Sequence, residues 1–165
     1  MDKIIELLDC NVITKILNNA FLAFAEEYGF TKENAPNHLA FIEPNSIKIW
    51  LKNGLKMYGY KINKEIIGCI GYSHIREQEY LIERLAVLPE NRNNGIGKKL
   101  VEYVEKEIIK INGKITELHV TDKNIKLVNW YKKQEYKGIR LEDVNIPGIE
   151  KVPFKAYIMR KELKK

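Results

Sequence analysis

A chain of 165 residues, 45% apolar and 30% charged, is long enough to bury a substantial core, and a single domain over residues 1–165 is expected. No run approaches the roughly 18 apolar residues needed to cross a bilayer, and no leader with a cleavage site follows the acidic Asp2 and Glu6. These features predict a cytoplasmic protein without a membrane partner. The net charge of +6 is spread over most of the chain with no basic run or aromatic RNA-binding motif. That pattern argues for a solvated lysine-rich surface and against a nucleic-acid partner.

In chain order, a short strand is expected around Ile4–Leu7, then a helix from Val12 to Tyr28 with Ile13, Ile16, Leu17, Ala20, Phe21, Phe24 and Ala25 on its apolar side. Gly29 would stop it, and residues 31–38 hold the turn formers of a loop. A second helix, near Asn45–Asn53, would be capped by Asn45 or Ser46 and ended by Gly54. Met57–Ile62 and Ile66–Ser73 read as a hairpin closed by Asn63-Lys64-Glu65. A turn at Ile75–Gln78 leads into a strand from Tyr80 to Leu88. Its alternation puts Leu81, Glu83, Leu85 and Val87 on one face, and Ile82, Arg84, Ala86 and Leu88 on the other. Pro89 ends that strand because it has no N–H to donate. After Arg92-Asn93-Asn94-Gly95-Ile96-Gly97, the period becomes helical, with Leu100, Val101, Val104, Ile108 and Ile111 on one stripe. A strand at Thr116–Val120, a helix at Ile125–Gln134 and a strand at Tyr136–Leu141 follow. A loop at 143–153 then precedes a closing strand at Phe154–Arg160. The order fits an α/β (α+β) fold, with a mixed, mostly antiparallel sheet and helices on both faces. It is not a dinucleotide-binding crossover fold, because the strands before the glycine turn read as hairpins.

A glycine-containing turn that feeds a helix aims free N–H groups and the positive end of the helix dipole at one point, which suits phosphate. Cys10 and Cys69 match no metal or disulfide spacing and read as reduced thiols. No histidine pair has metal-site spacing, so no metal is expected. His119 on its strand reads as a hydrogen-bonded core or site-edge residue, and His74 as exposed.

The strand, Pro89 and R-x-x-G-x-G turn are followed one strand later by Asn124-Ile-Lys-Leu-Val-Asn-Trp130-Tyr131-Lys-Lys-Gln-Glu-Tyr136. In this order the motifs resemble the GNAT superfamily of acetyl-CoA-dependent N-acetyltransferases over roughly residues 57–140. The resemblance implies a GNAT-like fold and acetyl-CoA as cosubstrate. It also implies direct acetyl transfer to a primary amine of a small molecule, peptide or protein, with a homodimer as one allowed assembly. By the same resemblance, the main chain of Leu85, Ala86 and Val87 would pair with the pantetheine arm. The amides of Asn93, Asn94, Gly95, Ile96, Gly97 and Lys98 would cradle the pyrophosphate, with charge from Arg92 and Lys98. Asn124 would touch the arm or cap its helix, and Tyr131 would protonate or hydrogen-bond the leaving sulfur. Glu83 would be the base or a salt-bridge partner. Glu26, Glu27, Phe30, Asn34 and His38 fall where the family builds its acceptor pocket. Trp130 is expected in the core. Three departures stand out: Glu135 where glycine is usual, Leu127 for a small residue, and Asn93 for a small residue or glycine. A non-catalytic acyl-CoA sensor remains the alternative from another class.

Overall fold

The computed structural model describes residues 1–165. Its elements are β1 (Asp2–Glu6), α1 (Cys10–Glu27), α2 (Pro44–Lys52), β2 (Lys56–Ile62), β3 (Glu65–Arg76) and β4 (Glu79–Val87), then α3 (Ile96–Lys110), β5 (Ile115–Thr121), α4 (Ile125–Lys133), β6 (Lys137–Asp143) and β7 (Lys155–Glu162). The strands form one seven-stranded sheet in the order β1-β2-β3-β4-β5-β7-β6, antiparallel except where β4 meets β5. A mixed, mostly antiparallel sheet with helices on both faces is what the residue pattern predicted.

Local chemistry sets most boundaries. α1 starts at Cys10, earlier than expected, because the Asp9 carboxylate accepts the amides of Asn11 and Val12 at 3.0 and 3.1 Å. α2 is capped by neither Asn45 nor Ser46. Pro44 fills its first turn, where a missing N–H costs nothing, and Glu43 stands at the cap without a side-chain bond. Tyr136 is not a strand residue; it ends the turn after α4 and is buried.

The sheet separates two cores. α3 and α4 cover one face, where Ile70, Ile82, Leu100, Val104, Ile108, Leu118, Val128 and Met159 pack together. α1 and α2 cover the other over Leu7, Ile13, Leu17, Ile47, Met57, Cys69 and Ala86. Burial of each large side chain is worth about 1.5–3 kcal/mol, so both faces hold the sheet firmly. A third cluster of Ala25, Phe30, Ala35, Ala40 and Phe154 joins the end of α1 to the 144–153 loop, whose Val144, Ile146, Ile149 and Val152 rest against it.

One expectation fails on β4. Gly71 lies opposite Glu83, yet Cys69 lies opposite Ala86, so β4 carries an extra residue there. That residue is at Arg84, whose φ of 60° is left-handed. An inserted residue reverses the two-residue alternation beyond it. Ile82 therefore packs under α3, whereas Ala86 packs under α1, and Leu85 and Val87 turn to the α3 side. Glu83 does not share a face with Leu85 and Val87.

Candidate active site

A bulge bends its strand and sharpens the local twist. Here it follows directly on the last paired residues. β4 and β5 pair only through Glu79–Ile115, Tyr80–Thr116 and Leu81–Glu117, and then part. β5 continues to Thr121 against β7, while β4 continues to Val87 against β3. The result is a fork in the middle of the sheet. Leu88 donates its N–H to Ile67 of β3 at 2.9 Å, so the alternating backbone groups of Leu85 and Val87 point toward the fork.

At the open end of the fork stands the turn before α3. Asn93 has φ 65° and Gly95 has φ 76°, and Gly95 forms the N-cap of α3. Asparagine tolerates this region, and glycine enters it freely. The amides of Asn93 through Lys98 bond to no protein acceptor, and the first helical bond is Lys99 to Gly95 at 3.1 Å. Arg92 is engaged otherwise than expected. Its Nε donates to Val87 O at 3.0 Å and its Nη2 to Ala20 O at 2.8 Å, tying the turn to β4 and α1. The Lys98 ammonium is exposed, 3.9 Å from Glu102.

α4 is laid against this turn. A side chain at Gly97 would meet the Trp130 ring at 3.4 Å, and Trp130 packs edge-on to Tyr131 at 4.9 Å. Asn124 caps α4, its Oδ1 accepting the Leu127 amide at 3.1 Å, which leaves its NH₂ free to donate elsewhere. Burial alone raises the Tyr131 phenol above its ordinary pKa, so it stays protonated. Tyr136 is fastened below it. Its hydroxyl bridges Thr116 at 2.9 Å and Glu105 at 3.1 Å, and Glu105 also holds Lys161 at 2.9 Å.

On the α1 side of the fork, Glu83 accepts a bond from Ser73 Oγ and lies 3.5 Å from the Arg84 guanidinium, which stacks on Trp50 at 4.0 Å. Ser73, Arg84 and Trp50 escaped the sequence reading, since only the bulge brings them together. On β5, His119 Nε2 lies 3.1 Å from Glu117 Oε1.

The residues expected at the acceptor pocket gather at the end of α1 but divide in role. Glu26 and Glu27 are exposed on its last turn. Phe30 is buried. Asn34 fastens its own loop, accepting from Thr31 N at 2.7 Å and donating to Gly29 O at 3.1 Å. His38 stacks on Phe24 at 5.6 Å, and its Nδ1 accepts the Ala40 amide at 3.2 Å. Burial lowers its pKa and favours the neutral ring. Gly148 packs on the Asn34 backbone, bringing the 144–153 loop against this region. No three or more His, Cys, Asp or Glu side chains are arranged to hold a metal ion. No helix is long and apolar enough to cross a membrane.

The model of the acetyltransferase (GNAT) family matches residues 13–136. Among curated proteins no match was found. Solved structures with the same fold include the ribosomal-protein-S18-alanine N-acetyltransferase from Escherichia coli, at 14% identity and TM-score 0.74 over 100% of this chain and 96% of that one. The PaiA N-acetyltransferase from Thermoplasma acidophilum in complex with coenzyme A is 20% identical, with TM-score 0.70 over 98% and 99% of the two chains. An aminoglycoside 6'-N-acetyltransferase complexed with coenzyme A is 18% identical, with TM-score 0.70 over 99% and 98%.

Proposed function

The chain belongs to the acetyltransferase (GNAT) family, and we propose that it moves an acetyl group from acetyl-CoA directly to a primary amine of a small molecule, peptide or protein. The observation that carries this reading is the fork, with its unpaired β4 backbone leading to the free amides before α3. Bound acetyl-CoA supplies the activated thioester. The residues present fit it. The pyrophosphate needs several N–H donors, and the turn from Asn93 to Lys98 offers them beside Lys98, with a bare glycine at position 95. Leu85 and the N–H of Val87, whose carbonyl already accepts from Arg92, offer backbone groups to the amides of the pantetheine arm, and the free NH₂ of Asn124 offers another donor. In this reading Arg92 positions the turn through its bonds to Val87 and Ala20, and its remaining guanidinium N–H groups add positive charge beside the phosphate.

Tyr131 is assigned the leaving thiolate. A phenol held neutral by burial keeps its O–H, which can donate to the sulfur as negative charge develops on the departing thiolate. Glu83, with one oxygen bonded to Ser73 and the other facing Arg84, is assigned to holding the acceptor. Glu26 and Glu27 add negative charge where a cationic amine would approach. The pocket formed with Phe30, Asn34 and His38 is assigned to the acceptor's remaining contacts.

Acetyl-CoA at about 100 times its Kd should stabilise the protein by about 2.7 kcal/mol, read as a raised melting temperature. Absence of any shift would count against the reading. Thiol release over spermidine, kanamycin and an alanine-initiated peptide then separates an enzyme from an acyl-CoA sensor.

A further inference from the structure

We propose that His119 is the base that deprotonates the acceptor amine, oriented by Glu117; this rests on the acetyltransferase reading and extends it. His119 is the first residue of β5 beyond the last β4 pair that faces away from α3, because Leu118 and Val120 point into the α3 core. It stands at the throat of the fork. Its side chain is 44% exposed, so solvent or an acceptor reaches it, whereas that of Glu117 is only 9% exposed. A carboxylate accepts from Nε2–H, which leaves the Nδ1 lone pair free for an incoming proton. Glu117 is itself held in place. Its other oxygen lies 3.7 Å from Arg160 Nε, Arg160 Nη2 lies 2.6 Å from Glu79, and Glu79 lies 2.7 Å from Arg76. The charged group in contact with His119 is Glu117 on β5; behind it stand Arg160 on β7, Glu79 on β4 and Arg76 on β3, and further along β4 the Glu83–Arg84 pair lies on the same side of the sheet. Glu79 is ion-paired with Arg160 and Arg76 and Glu83 accepts a bond from Ser73 Oγ, while His119 ends the chain with an open nitrogen.

The step balances as follows. Nδ1 takes one proton from the ammonium, and the imidazolium formed is stabilised by Glu117. The neutral amine attacks the thioester carbonyl, a C–N bond forms, and the C–S bond breaks. The thiolate leaves with the Tyr131 proton, and the second proton lost by the nitrogen passes through water to restore the phenol. The imidazolium proton returns to solvent, so that ammonium and thioester give amide, thiol and one released proton. No oxidant or metal is required.

The test uses whichever of spermidine, kanamycin or the alanine-initiated peptide is turned over fastest. His119→Gln should lower kcat/KM about 100-fold near pH 7. The deficit should shrink as pH approaches the amine's own ionisation, because the free amine then needs no base. Free imidazole should partly restore His119→Ala. Glu117→Gln should give a smaller, about tenfold loss with the same recovery at high pH, and Glu83→Gln should act mainly on KM. The acetyl-CoA melting shift should persist in every variant, which also reports folding. A His119→Gln variant within threefold of the unaltered protein, or a deficit constant at every pH, would overturn the assignment. If the unaltered protein binds acetyl-CoA but releases no thiol with any acceptor, the transferase reading fails first and this inference with it.

Discussion

Tyr131 and Glu135 lie four residues apart, yet they make opposite demands on the fold. The Tyr131 hydroxyl sits in a buried environment with no charged neighbour shifting it. Tyr131→Phe should therefore change stability little while lowering kcat about 100-fold if the phenol is the proton donor. Thiol-release rates and the melting temperature, with and without acetyl-CoA, check both halves. Glu135 has φ 72°, a region that costs an L-residue about 1–2 kcal/mol. Glu135→Gly removes that strain but adds unfolded-state entropy, for an expected net gain of about 0.5–1 kcal/mol. The measurement is a higher urea midpoint at unchanged slope. The unusual residue at this position was visible in the sequence. That the backbone keeps the left-handed turn regardless is a tertiary fact, enforced by burial of Tyr136 against Glu105 and Thr116.

At the scale of elements, α4 shows how a cap can serve two purposes. Asn124→Ala should cost about 1 kcal/mol through loss of the bond to the Leu127 amide. Asn124→Ser should restore most of that stability because a hydroxyl can cap as well. If the free NH₂ also meets the pantetheine arm, the serine variant should still bind acetyl-CoA more weakly, as a ligand titration of the melting temperature would show. β4 carries the larger lesson. Leu-Ile-Glu-Arg-Leu-Ala-Val sets a charged pair between apolar runs, and nothing in residue type marks arginine as the site of a left-handed bulge. The conformation is held by neighbours, with the guanidinium stacked on Trp50 and Cys69 Sγ lying 3.5 Å from Arg84 O.

Over the whole molecule, burial of neutral acids and of one neutral base sets a window of pH stability. Burial pushes the Cys69 thiol up to about 12 and raises the phenols of Tyr58, Tyr131 and Tyr136. The folded chain thus keeps protons that the unfolded chain releases, so stability should fall as pH rises past about 9–10. His38 has a lowered pKa, so below about 6.5 the unfolded chain takes up a proton the folded one refuses, and stability should fall on that side too. Urea midpoints should form a plateau between about pH 7 and 9. A Cys69→Ala variant, corrected for its cavity, should show a shallower alkaline fall.

The amino-acid sequence by itself determined the helices, most strands, the glycine turn before α3 and the cap of α4, because each follows from residues within a few positions of one another. It also carried the family, through two motifs in order. Tertiary structure alone decided that β7 enters between β5 and β6, that Arg92 bonds β4 and α1, and that Glu83 faces away from Leu85 and Val87. It alone opened the fork at Leu81 and Glu117 and left His119 at its throat. Strand order and bulges depend on packing between residues far apart in sequence, and a two-residue period cannot announce its own interruption.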